Sequence, residues 1–195
     1  MTGLRARKKQ RTREQIVDAA YRLFAERGYQ ATTVADIAAA ADIAPRTFFA
    51  YFPSKEAVVF HDFDGLFASL EDAIQSRPDG ETAIDALRRW LEGNLPPKHD
   101  ESADAVLRKR MCLDEPQLAA HQQHLLSKLE DVLRVGVARD LGTEPDALRP
   151  KLVAAAAVAA LASIDNERHS KAESMALLDE TLVFLRGGVA ALQAL

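Results

Sequence analysis

The chain has 195 residues, 48% of them hydrophobic, which suits one domain or two small ones built around a packed core. No run of about 18 uncharged apolar residues occurs, so no membrane-spanning helix is expected, and no apolar stretch follows the basic N-terminus to make a secretory signal. The single cysteine, Cys112, excludes an internal disulfide framework and fits a reducing cytoplasm.

A net charge of −4 taken alone speaks against a nucleic-acid partner, but the distribution reverses that reading. Residues 1–55 carry ten Lys/Arg against five Asp/Glu, a charge of +5, whereas residues 56–195 carry fifteen against twenty-four, a charge of −9. A basic head on an acidic body concentrates the attraction for phosphates in one place.

Strand signals are absent and helical spacing dominates. A first helix begins near Thr12, whose spacing to Gln15 is that of a capping box. It buries Ile16, Val17, Ala20, Leu23 and Phe24 and stops at Gly28. Thr33 caps a short second helix through Ala40, with Asp36 in its first turn. After a connector, Pro45 opens a third helix to about Phe52. Ser54 caps a fourth, about 55–76. The Arg77-Pro78-Asp79-Gly80 break leads to helices at about 82–95, 103–114, 117–141, 150–169 and 174–192. About nine helices make an all-α protein: a three-helix head (1–54, with 1–11 a flexible basic arm) and a helical bundle (55–195).

The second and third helices carry the chemistry. Two short amphipathic helices behind a longer one form the layout of a helix-turn-helix, whose second member lies in the major groove. Val34, Ile37, Ala38, Ile43, Phe48 and Phe52 are expected inside, which leaves Pro45, Arg46, Thr47, Phe49, Ala50 and Tyr51 outward. Arg46 suits a guanine edge, Thr47 a base or phosphate, and Phe49 thymine methyls. Tyr51 and Lys55 are candidates for phosphates.

These residues resemble the TetR family of bacterial regulators. The resemblance rests on Phe24–Tyr29, on Thr32-Thr33-Val34-x-Asp36-Ile37-Ala38, and on Ile43-Ala-Pro-Arg-Thr-Phe-Phe-x-Tyr51-Phe52-Pro-Ser-Lys55-Glu56. It covers about residues 12–60, and its Pro-Arg-Thr-Phe-Phe-x-Tyr-Phe form looks like a subgroup common in actinobacteria. It implies a sequence-specific transcriptional regulator without enzymatic activity, a repressor released from a palindromic operator by a small molecule. An activator, or control by a protein partner, is the alternative. Thr33, Ala44, Pro45, Arg46, Thr47, Phe49, Tyr51, Lys55 and Arg11 are the expected DNA contacts. Asp42 stands where many relatives have Gly, and Asp tolerates the left-handed backbone such a turn needs. Ala44 and Ala50 replace residues that reach phosphates in many relatives, which shifts weight to the basic arm from Arg5 to Arg13, with its six positive charges.

The resemblance also implies a ligand-binding body that pairs with a second copy through its last two helices. The residues support this. Ala156, Ala160 and Ser163 are among the small side chains of the penultimate helix. The last helix carries two apolar stripes, Leu178-Leu182-Leu185-Val189-Leu192 and Leu177-Thr181-Phe184-Gly188-Ala191. Phe60, Phe63, Phe67, Trp90, Met111, His121, Leu125 and Asn166 are the expected pocket residues, although such side chains also fill cores. An elongated apolar effector, such as a fatty acyl thioester, fits them. His121 and His124 lack further ligands at metal spacing and read as surface or pocket-rim residues, not a metal site. No Gly-rich phosphate loop, nucleophile elbow, Glu-x-x-His or Cys-x-x-Cys is present, so no catalytic residue, metal or cofactor is expected.

Overall fold

The computed structural model describes residues 2–94, 103–166 and 171–193, and every regular element among them is a helix. The order is α1 (Thr2–Arg27), α2 (Val34–Ala40), α3 (Pro45–Phe48), α4 (Lys55–Val59), α5 (Phe63–Gln75), α6 (Ala83–Asn94), α7 (Ala103–Asp114), α8 (Pro116–Leu141), α9 (Leu148–Asn166) and α10 (Lys171–Gln193). The chain divides into two compact units: residues 1–63 with 102–121, and residues 64–101 with 122–195.

In the first unit α1 buries Ile16, Ala20, Tyr21 and Phe24. It ends where expected: Gly28 takes φ +83° and donates to the Phe24 carbonyl at 3.0 Å. Its start differs from the expectation of Thr12. Nothing between Leu4 and Thr12 breaks a helix, and Leu, Ala, Arg, Lys and Gln are good helix formers, so the basic segment continues α1 back to Thr2 as an exposed helical extension. With α1 starting at Thr2, Thr12 and Gln15 lie inside the helix instead of capping it. Thr33 caps α2 as expected and makes a full capping box with Asp36, its hydroxyl accepting from the Asp36 N–H and the Asp36 carboxylate accepting from the Thr33 N–H. Asp42 adopts φ +54° in the turn before α3.

Two expected helices change length. Regular α3 ends at Phe48, and a looser turn through Tyr51 follows, closed by Ala50 N–H to Thr47 and Tyr51 N–H to Phe48. The expected fourth helix is two helices, because the chain breaks at Phe60–Asp62. Partners distant in sequence stabilise the break. The Arg13 guanidinium donates to the His61 carbonyl at 2.6 Å and lies over the Phe52 ring, the Tyr21 hydroxyl donates to the Val59 carbonyl at 2.7 Å, and Arg108 of α7 pairs with Asp62. Burial pushes the Tyr21 phenol up to about 12 against the lowering pull of Arg108, so the group remains a donor.

In the second unit Leu70, Ile84, Leu87, Leu133, Ala154 and Leu182 are among the side chains at the centre of one apolar core. The expected break at 77–80 is also an anchor. Arg77 is buried, and its guanidinium donates to the carbonyls of Ile74, Glu81 and Gly136 and pairs with the equally buried Asp140, which also accepts from the Ala83 N–H. Gly136 sits where a Cβ would stand 2.5 Å from Ile74 Cγ2 and 2.8 Å from the Ala83 methyl, so α8 meets α5 and α6 closely only because that position has no side chain.

A candidate nucleic-acid interface

α3 owes its position to its inner side chains: Phe48 is fully buried and Phe52, just past the helix, nearly so. Their burial turns the other face outward. Ala44, Pro45, Arg46, Phe49 and Ala50 are exposed, while Thr47 and Tyr51 are half-buried. Phe49 keeps 57% of its surface accessible although Phe48 lies against it edge-on, with ring centroids 5.4 Å apart. One exposed apolar side chain is ordinary; what distinguishes Phe49 is that it follows the exposed Arg46 and half-buried Thr47. An exposed guanidinium, a half-covered hydroxyl and an open aromatic face are groups chemically suited to a guanine edge and a thymine methyl. Thr33 is exposed at the head of α2, but its side chain is engaged in the capping box.

The surrounding charges sort themselves. Arg5, Arg7, Lys8, Lys9 and Arg11 lie exposed along the extension of α1. Arg13, counted with them in the sequence, is turned inward by its bond to His61. Lys55 also departs from the expectation of a phosphate contact: its ammonium donates to the carbonyls of Tyr29 (2.8 Å) and Thr32 (2.9 Å). Neither engagement was visible in the sequence, since the acceptors are backbone atoms more than twenty residues away. Arg27 pairs with Asp36 at 3.1 Å, and Asp36 stays below the usual carboxylate range through its bonds to Thr33 and that charge.

The expected pocket residues fall in both units. Phe60, Phe63, Met111 and His121 belong to the first. There Phe60 is buried, stacks on His121 at 5.0 Å and meets Phe63 edge-on at 5.6 Å. Met111 is buried beside Cys112, whose thiol burial pushes up. Phe67, Trp90 and Leu125 belong to the second unit, where the Trp90 indole donates to Ser69 and Leu125 is buried. The Asn166 side chain lies outside the described residues. Two grooves open at other places: one of about 470 Å³ in the first unit, between α1 and α7, and one of about 290 Å³ in the second, beside Gly136.

On α9 and α10, Leu182 and Leu185 of the first stripe are buried, while the side chains of Leu178, Val189 and Leu192 lie outside the described residues. The second stripe faces outward: Leu177 and Phe184 are exposed, Phe184 by 76%, as are Gly188 and Ala191, with Thr181 half-covered. Ala156 and Ser163 are exposed and Ala160 half-buried on α9.

A helix-turn-helix carried on a basic segment, with an outward Arg, Thr and Phe on its second helix, defines a sequence-specific DNA-binding transcriptional regulator. Known proteins agree with this. Residues 16–61 match the family model of bacterial regulatory proteins, tetR family, and residues 81–190 match the MftR C-terminal domain. Over 179 residues the chain is 32% identical to the HTH-type transcriptional regulator TcmR of Streptomyces glaucescens, covering 88% of this chain and 79% of TcmR. The fold is similar to that of SmeT in complex with triclosan (TM-score 0.61, 24% identity, 88% of this chain and 90% of that one). It is also similar to Thermus thermophilus FadR in complex with lauroyl-CoA (TM-score 0.53, 24% identity, 89% and 92%). The chain belongs to the TetR family of bacterial regulatory proteins. No helix among the described residues is long and apolar enough to cross a membrane.

Proposed function

We propose that this protein is a homodimeric, cytoplasmic repressor without enzymatic activity that leaves a palindromic operator when a small apolar molecule binds. Residues 1–54 read DNA, and residues 55–195 bind the effector and pair the two copies. The observation that carries the reading is the outward face of α3, where Arg46 and Phe49 stand exposed while Phe48, the last residue of that four-residue helix, is fully buried. Arg46, Thr47 and Phe49 contact base edges; Ala44, Pro45, Thr33, Tyr51 and Arg11 approach the backbone.

The exposed stripe of α10 and the small residues of α9 support pairing. Apolar side chains in continuous rows on a soluble protein mark an interaction surface, and two such helices from each copy make a four-helix contact. The aromatic and Met side chains Phe60, Phe63 and Met111 of the first unit are the kind that line apolar ligand sites, which supports an apolar effector such as an elongated acyl thioester. FadR is a fold relative that binds such a compound, lauroyl-CoA.

The test is selection of duplexes from a random pool by the full chain, with native mass spectrometry of the same preparation. An inverted repeat, with half-sites one turn of DNA apart, bound by two copies is the expected result. A chain that enriches no duplex, or binds DNA as a lone copy, overturns the reading. Titration of the selected duplex with lauroyl-CoA and shorter acyl thioesters tests the effector class, and undiminished binding throughout excludes it.

A further inference from the structure

In the first turn of α4, two consecutive charged side chains hold one distant turn, Lys55 by that turn's backbone carbonyls and Glu56 by the hydroxyl of its first side chain. The Lys55 ammonium donates to the carbonyls of Tyr29 and Thr32, at 2.8 and 2.9 Å, and lies 3.8 Å from the centroid of the Tyr29 ring. The next residue, Glu56, accepts a 2.7 Å bond from the Tyr29 hydroxyl. Both ends of the Tyr29–Thr32 turn are therefore tied to α4. Burial lowers the Lys55 pKa, which the neighbouring Glu56 and Glu115 charges partly offset. Burial and the bond to Glu56 push the Tyr29 phenol well above its ordinary value, which keeps it a donor.

This turn decides where the helix-turn-helix begins. Thr32 is fully buried and its hydroxyl donates to the Gly28 carbonyl at 2.8 Å; the next residue, Thr33, is the N-cap of α2. α2 packs on α1 and on α3 through Ile37, Ala38 and Phe48, all fully buried. A shift of the turn is thus passed to α2 and from there to the outward face of α3, since close-packed side chains transmit displacement.

We propose that Lys55 and Glu56 are positioning residues: they clamp the Tyr29–Thr32 turn, fix the angle at which α3 meets DNA, and make Lys55 act on recognition through that clamp instead of through a phosphate. The proposal rests on the reading that α3 contacts base edges. A charge-assisted bond to a main-chain carbonyl is short and directional, which suits a residue that sets geometry. An ammonium with two of its three donors held by carbonyls is poorly placed to follow a mobile phosphate.

The experiment compares the full chain with Lys55→Met, which keeps the apolar stem, and Tyr29→Phe, which keeps the ring and removes only the hydroxyl. Each is titrated with a duplex selected by the wild type and with a scrambled duplex of equal length, over a range of salt. Both variants should lose about tenfold in preference for the selected duplex, the worth of one charge-assisted bond. Their salt dependence on the scrambled duplex should not change. A phosphate contact predicts instead that Lys55→Met lowers the salt slope on both duplexes by about 0.9. That result, or variants that melt earlier yet keep their full preference at low temperature, overturns the clamp. Hydrogen exchange without DNA gives a second readout. Amides of Val34–Ala40 should exchange faster in both variants, and unchanged exchange overturns the proposal even if the wild type selects no operator, the result that defeats the DNA reading itself.

Discussion

Phe49 on the head and Phe184 on α10 are the same side chain left in water, by 57% and 76% of its surface. Their neighbours differ. Phe49 follows Arg46 and Thr47 within a sequence segment of charge +5, and the residues around it are a mixture of cation, hydroxyl and ring. Phe184 shares its outward stripe with Leu177, Gly188 and Ala191 inside a segment of charge −9. A Cβ built on Gly187 or Gly188 would meet nothing within 4 Å, so within one copy the space beside this stripe is open. An exposed aromatic therefore says little alone; the chemistry around it separates a surface suited to a polar, anionic partner from one suited to an apolar helix.

The sharpest control lies at neither surface. Arg77→Ala removes one partner of the buried pair with Asp140 and leaves that carboxylate uncompensated, so thermal unfolding should show a loss of about 3–5 kcal/mol. The loss should appear whether or not DNA or a second copy is present. A stability change under about 1 kcal/mol would mean that water reaches the pair, against its burial here.

Phe184→Glu comes next. If this ring is the centre of pairing, a carboxylate in its place should weaken dimerisation by about 2–4 kcal/mol, seen as monomers in light scattering at micromolar concentration. The isolated chain should melt almost as before, because the ring touches solvent. Persistence of the dimer would move the pairing surface off this stripe.

Arg46→Ala should cost about 1–3 kcal/mol on the selected operator and relax sequence preference at one base pair per half-site, with the dimer intact. If selected and scrambled duplexes are bound as by the wild type, α3 does not read bases, and Phe49 needs another explanation. Phe67→Ala addresses the effector: it should reduce release by an active acyl thioester several-fold, within the typical coupling of about 1–3 kcal/mol, with ligand-free operator affinity retained. Full release by the same compound would remove Phe67 from the response.

The smallest effect concerns the extension of α1. Deleting residues 1–9 removes Arg5, Arg7, Lys8 and Lys9. The salt slope of operator binding should then become shallower by up to about 0.9 for each phosphate that these side chains neutralise. Equal slopes would make the extension a spectator and place the electrostatic contribution on the rest of the head.

Much of this molecule is decided within four or five residues of each position, and that part is legible in the sequence alone. The Thr33 cap with Asp36 in the first turn, the stop at Gly28, the turn at Asp42, the start at Pro45 and the end of α8 before Gly142 all form as the sequence predicts, because each satisfies its own backbone through near neighbours, whereas Thr12 and Gln15, with the spacing of a capping box, lie inside α1. The buried face of α1 is equally legible, since helical period alone sorts inside from outside, whereas only the structure shows that on α10 Leu182 and Leu185 face inward and Leu177 and Phe184 outward. The tertiary structure decided where long side chains with distant acceptors end. Arg13 and Lys55 read as cations for phosphate, yet carbonyls at His61, Tyr29 and Thr32 hold them; Arg77 reads as part of a turn, yet Asp140 and Gly136 bury it. The break between α4 and α5 belongs to the same class. Residues 55–75 have a helical pattern throughout; near neighbours satisfy part of the broken backbone, and Arg13 and Tyr21 of α1 supply donors for the His61 and Val59 carbonyls while Arg108 of α7 pairs with the Asp62 carboxylate.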